Sequence, residues 1–575
     1  MKHTEILALL VYFLVSCQPK SEVTNTDIKT FCNPLNISYR FCLDEPSRRE
    51  AADPTVFLFQ DKYFLFASKS GGYWYSHDLM EWNFIQTEQI PVEEYAPTVI
   101  ALGDTLFFLA SSNDLSTIYK SANPLSGKWQ VAVPELEMPV WDPAFFLDDD
   151  NKLYLYWGCS NQNPIYGVEV DYNNNFSFMT KPVELKHQNP EECGWEVPGD
   201  YNTLVNQKPW IEGAWMNKQN GKYYLQYAGP GTEFKSYSDG VYVSENPLGP
   251  FNIQQHNPFA YKPEGFAAGA GHGSTFKDKN GNWWHIGTIT ISQKHMFERR
   301  LGLYPLFFDA EGNMHAETKF GDYPIIMPQQ KINNFKNIFP GWMLLSYQKK
   351  IEVSSSIDAL PACNITDENI RTYWAAASGD SGEFAILDLE KPVDVYALQV
   401  NFAEHNTNLF DRQEELKHRY TVEYSDNKAD WKMLVDKSSH NLDNTHDYTQ
   451  LDEMITCRYL KLTNIEVPDG NFALSGFRVF GNGKGELPGK IKTLEAKRNG
   501  EDGRSVQLNW SKSENATGYN ICYGTDQDKL YLNYTVYGDT SLTINSLNSG
   551  LGYYFTIEAF NENGVTEKEV LVEIK

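Results

Sequence analysis

Cysteine is scarce in this chain of 575 residues: there are eight, and none sits in a Cys-x-x-Cys spacing. Structural zinc sites and thiol redox motifs use that spacing, so neither is indicated. Apart from Cys17, seven cysteines remain, an odd number scattered along the chain, which argues against a dense disulfide framework. Cys32 and Cys42 could pair in an oxidising compartment, and free buried thiols are the equal alternative. Positive charge is short as well. Lys and Arg number 49 against 75 Asp and Glu, a formal net charge of −26, which excludes nucleic acid and anionic membrane surfaces as partners. The apolar run near the start, Ile6–Val15, is too short to cross a bilayer but fits the hydrophobic region of a secretory signal. The length itself predicts several domains.

What the chain has in abundance is one repeated β phrase. Asp53-Pro54 leads Thr55–Phe59, a turn, then Lys62–Ala67. Ala96-Pro97 leads Thr98–Leu102, a turn at Gly103-Asp104, then Thr105–Ala110. Asp142-Pro143 leads Ala144–Leu147, a turn at Asp148–Asn151, then Lys152–Trp157. A fourth copy opens at Glu212-Gly213 and continues into Lys222–Tyr227; a fifth opens at His272-Gly273, turns at Asn280-Gly281 and continues as Asn282–Gly287. Aromatic and β-branched runs closed by Gly, Asn and Asp read as strands and hairpins. Their recurrence every several tens of residues is the pattern of a propeller. Five copies predict five blades. Each blade's first strand lies nearest the axis, so the stations Asp53, Ala96, Asp142, Glu212 and His272 converge on the mouth of the central channel. Asp-Pro and Glu-Gly are ordinary turn openers when single; three acids at one repeat register point to a site.

A second phrase supports the blade count: Tyr75–Leu79 ending at Trp82, Tyr119–Leu125 ending at Trp129, and Tyr242–Leu248 ending at Phe251, read as third strands and their exits. The stretches Gly158–Pro209 and Gly229–Gly271 exceed a blade's needs and predict loops over a functional face. Trp195, Tyr201, Phe234, Tyr237 and Phe266 within them suit a pocket that stacks sugar rings, although each alone also fits blade packing.

From Phe31 to about Pro328 these residues resemble the family 43 glycoside hydrolases, which places a propeller domain over residues 31–340. The resemblance rests on Ala52-Asp53-Pro54, Trp141-Asp142-Pro143, Ile211-Glu212-Gly213 and Gly271-His272-Gly273-Ser274. It implies that Asp53 is the general base, Asp142 the residue that tunes and orients, and Glu212 the general acid. It further implies that His272 lies in the channel and ligates a calcium ion or its water, calcium being the one cofactor expected. Arg299 and Arg300 both answer to an arginine of the last blade that contacts acid or substrate, and the following Leu303–Asp309 favours Arg299. Trp74 and Trp215 complete the candidate substrate-binding residues. The chemistry agrees: inversion at a glycosidic carbon needs a carboxylate to activate water and a protonated acid roughly 6.5–9.5 Å away. A third carboxylate nearby disfavours ionisation of the acid.

Leu14-Val15-Ser16-Cys17 resembles the lipobox of bacterial lipoproteins, which implies a signal peptide over residues 1–16, lipidation of Cys17 and a polar tether over 17–30. The protein is then expected in the periplasm or on the outer-membrane surface, touching membrane only through its anchor. After the propeller, residues 343–482 carry alternating runs that predict an antiparallel sandwich. Ile365–Asn369, Arg371–Trp374, Leu387–Leu389 and Arg458–Leu460 resemble a discoidin, or coagulation-factor type C, jelly roll. Residues 487–575, with Val506–Trp510, Gly518–Tyr523 and Tyr553–Asn561, resemble a fibronectin type III sandwich with Tyr553 as its corner tyrosine.

The fold class expected is all-β throughout. The function expected is an exo-acting inverting glycosidase that takes an oligo- or polysaccharide, with α-L-arabinofuranosidase or β-xylosidase action first. β-Galactosidase, galactofuranosidase or endo-arabinanase action is the alternative within the fold, and a non-catalytic carbohydrate-binding protein the alternative outside enzymes. All candidate catalytic residues precede Pro328, so the chain from about Met343 onward is expected to be dispensable for chemistry.

Overall fold

The computed structural model describes residues 28–332, 337–412 and 415–575. The expected signal peptide, most of the tether and the lipidation site Cys17 lie outside the described residues. The described chain is all-β, with a few short 3-10 turns between strands.

Residues 52–316 form five successive antiparallel sheets, called I to V here. Sheet I is built from Ala52–Phe59, Lys62–Ser68, Gly72–Ser76 and Trp82–Gln86. Sheet II spans Thr98–Val133, sheet III Ala144–Lys186, sheet IV Glu212–Ile253 and sheet V Ala268–Ala316. Tight hairpins arise where two consecutive residues take positive φ, as at Gln60-Asp61 and Asn220-Gly221, the turn whose twist matches that of the flanking strands. The first strands of successive sheets touch one another in order, and that of sheet V touches that of sheet I, so the five sheets close into a ring. The core lies between the sheets. Phe64, Phe66 and Tyr73 of sheet I pack on Val99, Phe108 and Trp129 of sheet II, while Leu65 and Trp74 pack on Trp284, Ile286 and Leu301 of sheet V. Thr30–Phe31 pairs with Ile325–Ile326 and so ties the two ends of this unit together.

Residues 343–482 build an eight-stranded sheet system around two long bulged strands, Phe384–Phe402 and His446–Glu466, with a core that includes Trp374, Leu387, Leu460 and Phe477. Residues 494–574 form a three-stranded sheet facing a five-stranded one, around Leu508, Trp510, Ile521 and Phe555. The Tyr553 hydroxyl accepts the Asn548 N–H at 2.9 Å. One apolar cluster draws on all three units: Phe320 and Tyr323, then Trp342 and Phe480, then Phe560.

One open alternative is decided and two expectations change. Cys32 and Cys42 do not pair; all seven cysteines of the described residues are free, with Cys42 donating to Glu50 Oε2 at 3.4 Å. Trp74 is no sugar platform: it is fully buried, its ring edge-on to Phe84 at 5.2 Å. Of the aromatics in the two long stretches, Trp195 is buried against Tyr227 and Phe266 lies under the Arg478 guanidinium. Tyr237 alone of the five bonds to a candidate catalytic group.

Candidate active site

The first strand of each sheet begins with a kink. Asp53, Ala96, Asp142 and His272 all have positive φ, between 42° and 52°, and regular pairing starts two residues later, at Thr55, Thr98, Ala144 and Ser274. In sheet IV the kinked residue is Gly213, at φ 62°, with pairing resuming at Trp215. Glu212 therefore does not share the register of Asp53 and Asp142, as the repeat suggested; it sits one residue earlier, level with Ala52, Tyr95, Trp141 and Gly271. Both layers face the ring's mouth. A cavity of about 390 Å³ is lined by Asp53, Asp142 and His272 from the kinked layer and by Tyr95, Trp141 and Glu212 from the layer before it.

The kinks cost backbone strain and are held by a belt of hydrogen bonds from the neighbouring sheet. The Asp53 N–H donates to Thr288 Oγ1 at 3.0 Å, that of Ala96 to Ser68 Oγ at 2.8 Å and that of Asp142 to Ser111 Oγ at 2.8 Å. The His272 and Gly273 N–H groups both donate to Asp239, at 2.7 and 3.0 Å. Ser68 and Ser111 also donate to the carboxylates, to Asp53 Oδ2 at 2.5 Å and to Asp142 Oδ1 at 3.1 Å. Glycine is required at 213 by space, because a Cβ there would lie 2.5 Å from the His272 ring.

The two outer acids have different company. Asp53 Oδ1 accepts from Arg299 Nη1 at 3.0 Å and lies 3.3 Å from His272 Nδ1; Arg299 is in turn held by buried Glu50 at 2.6 Å. Glu212 accepts one hydrogen bond from the Tyr237 hydroxyl on Oε1 and one from the Cys159 thiol on Oε2, the latter at 3.2 Å. Burial, with Asp142 and Glu212 adding to it, pushes the Cys159 thiol far up, so the sulfur keeps its proton. It also accepts the Trp210 indole N–H at 3.1 Å. Asp142 is pushed up to about 7, first by burial; His272 pulls it down, and Glu212 and Asp53 push it further up. Burial opposes a charge on His272, but Asp53, Asp142, Glu212 and Asp239 outweigh it and hold its pKa above the ordinary value.

Asp53, Asp142, Glu212, His272 and Arg299 thus meet at one cavity. Trp215 does not line it; its indole N–H donates to Thr275 O at 3.1 Å. Arg300 turns away, to Arg49 O at 2.7 Å and His446 Nε2 at 3.1 Å. The aromatic walls are instead Tyr95, Trp141, Trp210 and Phe297. Tyr95 and Trp141 were visible in the repeat, one residue ahead of each station, and Tyr237 as one of five aromatics in the long stretches; Trp210, Phe297 and Cys159 carry no such signal. Calcium takes six to eight oxygens, which water can help to supply; His272 Nδ1 lies 3.3 Å from Asp53 Oδ1. The described acids and thiol within reach of one ion are Asp142, Cys159 and Glu212, a set without His272.

Residues 47–314 match the model for glycosyl hydrolases family 43. Over these residues, a little under half of its length, the chain is similar to that family. Residues 350–475 match the F5/8 type C domain. A xylosidase/arabinosidase of Butyrivibrio fibrisolvens is 29% identical over 203 residues, 33% of this chain and 37% of that protein. A β-xylosidase of Xylanibacter ruminicola is 29% identical over 154 residues, 23% of this chain and 42% of that protein. The chain therefore spans less than half the length of these curated relatives. A solved thermostable family-43 glycoside hydrolase aligns over 53% of this chain and 99% of its own at 20% identity, with a TM-score of 0.42.

Proposed function

We propose that the protein is an inverting glycosidase that releases one terminal sugar, an α-L-arabinofuranosyl or β-xylosyl unit, from plant-type polysaccharide side chains. The five sheets are read as the blades of a propeller, the middle unit as a discoidin-type jelly roll and the last as a fibronectin type III module.

The observation that carries the reading is the unlike company of the two acids. Asp53, beside Arg299 and His272, is suited to draw a proton from a water molecule that attacks the anomeric carbon. Glu212, bonded to a neutral hydroxyl and a neutral thiol, is suited to deliver a proton to the departing oxygen. Asp142 lies behind both, 3.7 Å from His272 Nδ1, and fixes the orientation of that ring. Exo action is read from the long stretches that bring Trp210, Thr232 and Glu233 to the cavity wall. The pentose assignment leans on the names of the relatives. We further read residues 1–16 as a lipoprotein signal and Cys17 as lipidated; retention of Cys17→Ala in the membrane fraction would sink that part.

The test pairs a substrate screen with two variants. Purified residues 30–575 should release sugar from an aryl arabinofuranoside or xyloside, with the inverted anomer first by NMR. Glu212→Gln should lose roughly 10²–10⁴-fold on an oligosaccharide, the range for one general acid, and less on a nitrophenyl glycoside, whose leaving group needs little protonation. Asp53→Asn should fail on both. A retained anomer, or equal failure of Glu212→Gln on both substrates, overturns the assignment.

A further inference from the structure

The second unit reaches the rim of the cavity through one side chain. Arg371 belongs to the Ile370–Thr372 turn, which docks on the ring where the Ile370 N–H donates to Phe266 O at 3.1 Å and Ile370 joins Phe266 and Ile289 in a small buried cluster. From there Arg371 Nη1 pairs with Asp200 Oδ2 at 2.8 Å and Nη2 donates to Glu233 O at 3.2 Å. Its own carbonyl accepts Gln293 Nε2 at 2.5 Å. Three separate stretches of the ring are gathered on one residue.

Two of those stretches wall the cavity. Thr232 and Glu233 come from one, Met296 and Phe297 from the other. Both also bear on the base: Thr232 Oγ1 accepts from Arg299 Nη1 at 3.1 Å, and the Phe297 ring lies 5.0 Å from the Arg299 guanidinium. Asp200, the partner of Arg371, accepts the Lys235 N–H at 2.8 Å and so fixes the far end of the Glu233 stretch. Arg371 is only partly buried, its side chain 21% exposed, so the pair is not needed to hold a core.

We propose that Arg371 is a positioning residue for the sugar cavity: the second unit supplies the clamp that sets Glu233 and Phe297 at the rim, and so sets how tightly the terminal sugar is held. This rests on the glycosidase reading. A clamp that acts directly on the walls, and reaches Asp53 only through Arg299, alters binding before chemistry. An arginine is needed because its fork reaches a carboxylate and a carbonyl at once, which a lysine point charge does not reproduce.

The experiment compares Arg371→Ala, Arg371→Lys and Asp200→Asn with the parent, all as residues 30–575, on the aryl glycoside that the parent cleaves. Arg371→Ala should raise KM about tenfold, the scale of losing one charge-assisted hydrogen bond, with kcat within about threefold and the melting temperature nearly unchanged. Arg371→Lys should recover part of the loss. Asp200→Asn breaks the same pair from the ring side, leaves the second unit untouched and should move KM in the same direction, which guards against misfolding of the Arg371 variants. Unchanged KM in Arg371→Ala and Asp200→Asn, or a fall in kcat at constant KM, overturns the inference while the parent's turnover preserves the glycosidase reading. A parent without turnover on any aryl glycoside overturns both.

Discussion

At the scale of single residues the site is an arrangement of protons. Asp142 is the buried carboxyl that its surroundings push up to about 7, against about 3.9 for a free aspartate. Its folded value lies above its unfolded one, so its contribution to stability is complete below about pH 4 and is lost as the pH rises through 7. Asp239, pushed up to about 7 chiefly by its burial, acts in the same sense. The melting temperature should therefore fall between pH 5 and pH 8. Asp142→Asn should flatten part of that slope and raise the melting temperature by a few degrees at pH 8, while turnover is largely lost. A variant with the parent's slope would show that Asp142 is not the group responsible. Site residues of this kind exchange stability for function, which is why the gain and the loss are expected together.

At the scale of elements, the kinked entry of each first strand does two jobs. It precedes the start of regular pairing, and it brings the kinked side chain and the one before it to the cavity. Four of the five entries tolerate a non-glycine residue at positive φ, at a cost of roughly 1–2 kcal/mol each, so strain alone does not dictate glycine. Gly213 is dictated by space, since His272 occupies the place of its Cβ. Gly213→Ala should cost at least tenfold in kcat/KM, because the His272 ring and with it the Asp53 and Asp142 contacts must shift. Ala96→Gly, at the equivalent entry of sheet II, should stay within about threefold. Equal behaviour of the two variants in kcat/KM and melting temperature would refute the steric account.

At the scale of the whole molecule the units are packed on one another and do not behave as beads on a string. Arg49 of the ring is fully buried and paired with Asp443 at 2.6 Å and Glu404 at 2.7 Å, both from the second unit. The third unit touches the ring where the Gly194 N–H donates to Leu547 O at 3.0 Å and where His315 stacks on Tyr531 at 3.8 Å. Removing everything after residue 340 uncovers Phe320 and Tyr323, which pack on Phe480 and Phe560, and exposed apolar surface of that kind drives association. The later units line none of the cavity, in keeping with the expectation that they are dispensable for chemistry, but we propose that the ring needs them for its stability. A fragment of residues 28–340 should melt well below the full chain, aggregate on concentration and show a raised KM on an aryl glycoside. A monodisperse fragment with the parent's melting temperature and KM would refute that dependence.

Much of this was readable without coordinates, because strand periodicity, turn residues and repeat spacing are local properties of the chain. The five β phrases, the stations Asp53, Asp142, Glu212 and His272 and the change of pattern near residue 343 follow from neighbours in sequence, whereas Arg299 rests on the family resemblance alone. The one-residue offset of Glu212 escaped because Glu-Gly and Asp-Pro look alike as turn openers, and only pairing register and φ separate them. Trp74 and Trp215 were misplaced because an aromatic ring lowers its free energy as well in a core as against a sugar, and which it meets is decided by the packing of sheets far apart in sequence. The same holds for Cys159, Tyr237 and Arg371. By itself the sequence determined which groups could do the chemistry; the tertiary structure decided their company, since burial and hydrogen-bond partners come from chain segments tens to hundreds of residues away.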